Sequence, residues 1–194
     1  MALGAKRGLV GRPKGETLEQ LTLREYFEIG RTTEAFEELL DEDQLKLHRL
    51  HGRRAKIDDG AVEAIRTGKA SRVLIITEPW CGDSLAIFPV VAELFCRAGL
   101  ELRVIRRDEH PDLIDRYLTR GGRAIPIVLV LDEASRELLR WGPRPHPAQL
   151  IVEAHREDVK EGRIERTEVH KKVRAFYSGD CGKTVVQEFV SGLV

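Results

Sequence analysis

The segment Glu78-Pro79-Trp80-Cys81-Gly82-Asp83-Ser84 carries the residue types best suited to chemistry. Cys81 falls in a turn between an apolar, β-branched run and the start of an amphipathic helical stretch. At a helix N-terminus, free N–H groups and the helix dipole stabilise a thiolate, the nucleophilic form of cysteine. Gly82 leaves room for a partner chain close to the sulfur. Asp83 adds a carboxylate that could cap the helix but would also oppose a thiolate, so the thiol is pulled both ways. Pro126 follows Ala124-Ile125 and precedes another apolar run, a place suited to a cis peptide at the edge of the same site. Glu78 is a nearby acid or base, weighed against the plainer reading of a solvated surface carboxylate.

The remaining candidates are weaker. The chain has 3 cysteines, an odd number that intrachain disulfides cannot use up. Cys96 lies ~18 Å beyond Ser84 along a continuous helix, and a disulfide needs Cα atoms within about 7 Å. Cys96 is therefore expected to be a small core hydrophobe. Cys181 sits in the turn Ser178–Gly182 and reads as an ordinary loop thiol, although a tail folded over the active face would bring it to Cys81. His48 and His51, three apart on a helix, make a weak metal pair and are expected on a charged helix face. His110, His146, His155 and His170 form no ligand cluster, so no metal and no cofactor are expected. The Arg-Arg pairs at 53–54 and 106–107 read as solvated or matched by acids, and Trp141 as core.

The elements that position Cys81 follow from periodicity. The chain has 194 residues, with 32 Lys+Arg against 32 Asp+Glu and 42% hydrophobic residues. Zero formal charge argues against a nucleic-acid partner, which needs a concentrated positive face. The longest apolar run, Ile125 to Leu131, is far below the ~20 residues of a membrane helix, and the start lacks an export signal. A reducing cytoplasm is the expected compartment. Helices are expected over Thr22–Gly30, Thr33–Leu40, Asp43–Arg54 (with Leu45, Leu47 and Leu50 as its apolar points) and Ala61–Arg66. Val73–Thr77 then changes the period to that of a strand buried on both faces. A helix from Ser84 to Ala98, a strand at Leu102–Ile105, a helix from Pro111 to Leu118 ended by Gly121-Gly122, and strands at Ile127–Leu131 and Glu137–Trp141 follow. Helices at Pro147–Lys160, Thr167–Tyr177 and Lys183–Val190 complete the chain. The order β-α-β-α-β-β-α implies an α/β fold, a central mixed sheet of about four strands with helices on both faces. We divide the chain into a flexible arm (1–20), a helical N-terminal extension (21–69), a core (70–162) and a helical C-terminal extension (163–194) packed on that core.

Several ordered motifs resemble the thioredoxin-like superfamily over about residues 70–160. Trp80-Cys81-Gly82 after an apolar strand resembles the family's active-site turn, and Pro89 its helix-kinking proline. Asp108 with Pro111, Tyr117 and Arg123-Ala-Ile-Pro126 resemble its path into the cis-proline strand, and Gly142 precedes the last core helix. The helical N-terminal extension and the Trp-Cys-Gly-Asp-Ser turn are similar to a bacterial subgroup of thioredoxin family proteins. The resemblance implies a thioredoxin-like fold and thiol–disulfide chemistry.

The departures shape the expected mechanism. Ser84 replaces the resolving cysteine, giving Cys-x-x-Ser, and a serine cannot close an intramolecular disulfide. Ile75 stands where the family carries a buried aspartate that serves the resolving thiol, and Asp83 replaces the motif's proline. The implied activity is a monothiol thiol–disulfide oxidoreductase, with Cys81 as nucleophile and an external thiol resolving the mixed disulfide. Ser84 would assist at the sulfur. Trp80, Gly82, Ile125 and Pro126 would bind substrate, while Glu78 and Asp83 tune the thiol. The expected partners are protein or low-molecular-weight disulfides and thiols, and the thiolate is expected to form below ~8.5. The alternative is a non-catalytic binding or scaffold module. An iron–sulfur or glutathione site of the monothiol glutaredoxin type fits Trp80 and Asp83 poorly.

Overall fold

The structure is a computed structural model that describes residues 21–194. The expected arm, 1–20, lies outside the described residues. Local capping chemistry sets the first helices. Thr22 forms a capping box with Glu25 at the head of α1 (Leu23–Ile29), and Thr32 caps α2 (Thr33–Glu37), which stops short of the expected Leu40. Asp41 and Gln44 form a second capping box on α3 (Glu42–Arg54), and Asp58 caps α4 (Asp59–Arg66). Each side-chain oxygen here satisfies an N–H that the helix itself leaves free.

The inward face of α3 departs from the expected one. Leu47 and Leu50 are exposed, and the face that meets the core carries Leu45, buried His48 and Gly52. A Cβ on Gly52 would lie 3.3 Å from the Cβ of Pro89, so the glycine lets α3 lie close to the long central helix. Helix packing at that separation selects a small residue and a flat ring over two leucines.

The strands are β1 (Arg72–Thr77), β2 (Glu101–Arg106), β3 (Ile127–Leu131) and β4 (Glu137–Trp141). Their order is β2-β1-β3-β4. β2 runs parallel to β1, and β3 and β4 run antiparallel to their neighbours. The period of two in β1 and β3 divides the sheet into two buried faces. Val73, Ile75, Val128 and Val130 join the larger core beneath α5 (Gly82–Arg97). Leu74, Ile76, Ile127 and Leu129 join the smaller one, with Tyr26 and Phe27 of α1 and Leu113 and Ile114 of α6 (Pro111–Ile114). A 3-10 turn, Asp115–Tyr117, extends α6. Gly121-Gly122 does not end that helix: Arg120 and Gly121 take positive φ, 51° and 78°, in a tight turn closed by Thr119 and Gly122.

The expected single helix 147–160 is two, α7 (His146–Ala154) and α8 (Arg156–Lys160). His155 breaks it, at φ −108° and ψ 5°, with its ring nitrogen 2.8 Å from the Ile151 carbonyl. The tail forms α9 (Arg166–Asp180) and α10 (Lys183–Leu193), both longer than expected. Cys181 and Gly182 turn the chain between them at φ 53° and 76°. A Cβ on Gly182 would meet the Val90 methyls at 2.6 Å, which fixes this turn against the middle of α5. Val185, Val186 and Phe189 bury α10 in the larger core. No helix among the described residues is long and apolar enough to cross a membrane.

Candidate active site

Cys81 occupies the N-cap of α5. Its N–H bonds the Glu78 carbonyl at 3.1 Å, which closes the turn out of β1. The side chain is 7% exposed, and its Sγ donates to the Ile125 carbonyl at 3.5 Å. Burial pushes the Cys81 thiol above its ordinary pKa. The Ser84 hydroxyl and the backbone N–H groups of Ser84 and Asp83 pull it back, while the Asp83 charge adds to the rise. The net direction is upward, opposite to the expected early thiolate, because desolvation outweighs the helix terminus. Three-sided cover by β1, α5 and the Ile125 segment is not visible in the turn's own sequence.

Ser84 is buried and shares a short hydrogen bond with the Thr77 hydroxyl at the end of β1. Two hydroxyls thus fill the position beneath the turn, and Ile75 is fully buried in the core, not beside the thiol. Pro126 lies across from Cys81, its peptide with Ile125 is cis, and both residues are buried. Gly142 backs it, with φ 118° and no space for a side chain against the Pro126 carbonyl. On the open side, nothing lies within 4 Å of a Cβ placed on Gly82. Trp80 is 55% exposed, and the Arg107 guanidinium lies 4.6 Å from its ring centroid, in cation–π contact.

Glu78 is not a solvated surface carboxylate. It is fully buried, receives Arg106 at 3.0 Å and accepts from the Asp108 N–H at 2.8 Å. It ties the turn before Cys81 to the loop after β2. A buried charge is tolerated where it is paired and hydrogen-bonded, and here both carboxylate oxygens are used.

Asp83 does not cap α5, whose N-cap makes no side-chain bond. It receives the Tyr177 hydroxyl at 2.8 Å and Arg144 at 2.5 Å. Arg144 and Tyr177 join the site from outside the motif that marks it in the sequence. The signal for Tyr177 was present: Val169, Val173 and Tyr177 repeat every four residues, so they mark one packed face of a helix, and a buried phenol needs an acceptor. No local pattern singled out Arg144.

The other thiols stand apart. Cys96 is exposed, contrary to the expected core position. It follows Phe95 by one helical step, and the buried stripe of α5 turns away from it. Cys181 is buried and donates to the Ser178 carbonyl at 3.3 Å. Its neighbour Gly182 rests on Val90, ~13 Å along α5 from Cys81, beyond disulfide reach. All three cysteines are free. His48 is buried rather than on a charged face: its Nε2 is 3.5 Å from Glu37 and its ring meets Phe88 edge-on at 5.3 Å. Trp141 is buried, with its indole N–H donating to Glu188 at 2.7 Å.

Comparisons with known proteins agree with this architecture. A family model described as Thioredoxin matches residues 30–160. The chain matches no curated protein. Among solved structures it is similar to a protein of unknown function from Pseudomonas aeruginosa, at 20% identity and a TM-score of 0.68, over 89% of this chain and 97% of that one. It is also similar to an HIV epitope-scaffold, at 19% identity and a TM-score of 0.64, over 87% and 95% of the two chains. At these identities the two structures speak for the fold alone.

Proposed function

The chain belongs to the thioredoxin family, and from that premise we propose that it is a monothiol thiol–disulfide oxidoreductase working through Cys81. The observation that carries this reading is the placement of Cys81 at the N-cap of α5, with its sulfur on the Ile125 carbonyl beside Pro126. Cys81 thiolate attacks one sulfur of a disulfide, forms a mixed disulfide and expels the other sulfur as a thiolate. An external thiolate then attacks the substrate-derived sulfur and restores the Cys81 thiolate. Ser84 cannot perform that second step, so the reaction suits removal of bound thiols or isomerisation better than net reduction. Trp80, Gly82, Ile125 and Pro126 bind the substrate chain, and Asp83 tunes the thiol. The partners are protein or low-molecular-weight disulfides and thiols in a reducing cytoplasm. The Trp-Cys-Gly-Asp-Ser turn supports a finer placement in a bacterial subgroup of the family.

A second reading, a binding or scaffold module with little turnover, is favoured by the burial that raises the Cys81 pKa. Exposed Cys96 provides an internal comparator. The protein is incubated with glutathione disulfide at about pH 8.5, and adducts are mapped by mass spectrometry. The oxidoreductase reading expects an adduct at Cys81 that outpaces the one at Cys96 and is released by added thiol. An inert Cys81 beside a reactive Cys96 assigns the chain to the binding module.

A further inference from the structure

The last helices of the core and the C-terminal extension together form a cationic pocket near the active-site turn. The cavity, about 470 Å³, lies between α7, α8 and α9. Arg156 and Lys160 stand four apart on α8, and Arg166 and His170 stand four apart on α9, so each pair shares one helix face. Both pairs line the cavity, and so does Arg144, whose guanidinium also meets Asp83. Val152, Val159 and Val169 supply the apolar lining, and no carboxylate is among the lining residues. Arg144 and His170 also line a second cavity with Gly82, Asp83, Tyr177 and Arg174, which places the cationic pocket next to the N-terminus of α5.

Many cations elsewhere are matched, such as Arg106 with Glu78, Arg123 with Asp115 and Arg97 with Asp59. What sets this region apart is that several unmatched cations gather at one cavity. Among the described residues, Arg156, Arg166, His170 and Arg174 have neither an ion pair nor a side-chain hydrogen bond, and Lys160 meets only exposed Glu157 at 3.6 Å. The Arg144 Nε is buried without a hydrogen-bond partner. Like charges gathered around one cavity repel, and an unpaired buried N–H is costly. Both penalties are relieved by an anion with several oxygens, which guanidinium groups receive in forked geometry. Arg166 is the first residue of α9, so the positive end of a long helix adds to the same field.

We propose that this pocket binds a small polyanion carrying phosphate or carboxylate groups, with Arg144, Arg156 and Arg166 as its principal ligands and the valines against its apolar part. The site stands independently of the thiol chemistry at Cys81.

The test is isothermal titration of the full chain at physiological salt with two probes, inorganic pyrophosphate for the phosphate source and citrate for the carboxylate source. The expected result is saturable binding of at least one probe, weakened about tenfold or more in Arg156→Gln/Arg166→Gln, two exposed positions whose replacement leaves the core untouched. Arg24→Gln/Lys46→Gln removes the same charge from exposed positions on α1 and α3, helices that do not line the pocket, and is expected to bind as the wild type does. Absence of saturable binding of either probe, or equal weakening in both double variants, overturns the proposal. Because Cys81 thiolation is read separately in the same samples, loss of one property with retention of the other identifies which reading has failed.

Discussion

Tyr177 and Asp83 lie 94 residues apart in sequence, and the Tyr177 hydroxyl donates a 2.8 Å hydrogen bond to the Asp83 carboxylate. The C-terminal extension thereby reaches the second residue after Cys81. With Arg144 on the other carboxylate oxygen, Asp83 is held in place beside a thiol whose ionisation it opposes. Burial and the Asp83 charge, through their effect on the phenolate, keep Tyr177 protonated far into the alkaline range.

Asp83→Asn is therefore expected to speed alkylation of Cys81 by iodoacetamide at neutral pH by a factor of about three to ten, as the thiol pKa falls. The substitution removes the opposing charge and leaves the Arg144 guanidinium without its carboxylate, and both changes favour the thiolate. Tyr177→Phe acts in the other direction, because Asp83 loses a donor and keeps its charge. Rates that do not separate the two variants in this order would show that Asp83 does not govern the thiol.

Ser84→Cys tests what the serine prevents. Ser84 is buried on the Thr77 hydroxyl, and a thiol there stands one helical turn from Cys81. The variant is expected to lose two titratable thiols on mild oxidation and to regain them with a dithiol reductant, whereas the wild type keeps its three. Retention of all four thiols after oxidation would place position 84 out of reach and remove the missing partner as the reason for monothiol behaviour.

The parts legible in sequence were those governed by local rules. Thr22 opens the expected first helix and caps it, and the β-branched run Val73–Thr77 marks a strand with two buried faces. Cys81 and Pro126 were legible as positions in turns beside strands. What stayed hidden was set by distant segments. Glu78 looked like a surface carboxylate because nothing nearby in sequence says that Arg106 and the Asp108 N–H will enclose it. Cys96 looked apolar by residue type, yet one helical step past Phe95 put it in solvent. The direction of the Cys81 shift needed the cover supplied by Ile125, 44 residues away.

Gly142 has φ 118°, and a Cβ there would penetrate the Pro126 carbonyl oxygen. Gly142→Ala must therefore move the Pro126 backbone, and with it the Ile125 carbonyl that receives the Cys81 thiol. The expected cost is about 2–3 kcal/mol, the scale of a strained backbone position, read as a lower urea midpoint with an unchanged slope. Cys81 alkylation should quicken at the same time as its cover loosens. An unaltered midpoint would show that the β3–β4 edge yields freely and that Gly142 does not hold the Pro126 segment.

His48 gives the fold an acid-sensitive point. Its ring is 2% exposed between α3 and Phe88, and Nδ1 has no hydrogen-bond partner. Burial lowers its pKa; Glu37 opposes that effect, while Arg49 and His51 add to it. The unfolded chain, with a histidine pKa near ~6.5, then takes up the proton more readily than the folded one. The contribution of His48 is full above that value and is lost as pH falls through the depressed folded value. Between about pH 7.5 and 5, the wild type is expected to lose more unfolding free energy than His48→Gln, which cannot take up a proton there. All other ionisable groups are common to both proteins, so the difference between the two urea-denaturation series isolates the histidine together with its contact to Glu37. Parallel pH profiles would mean that Glu37 stabilises the imidazolium enough to cancel the burial penalty.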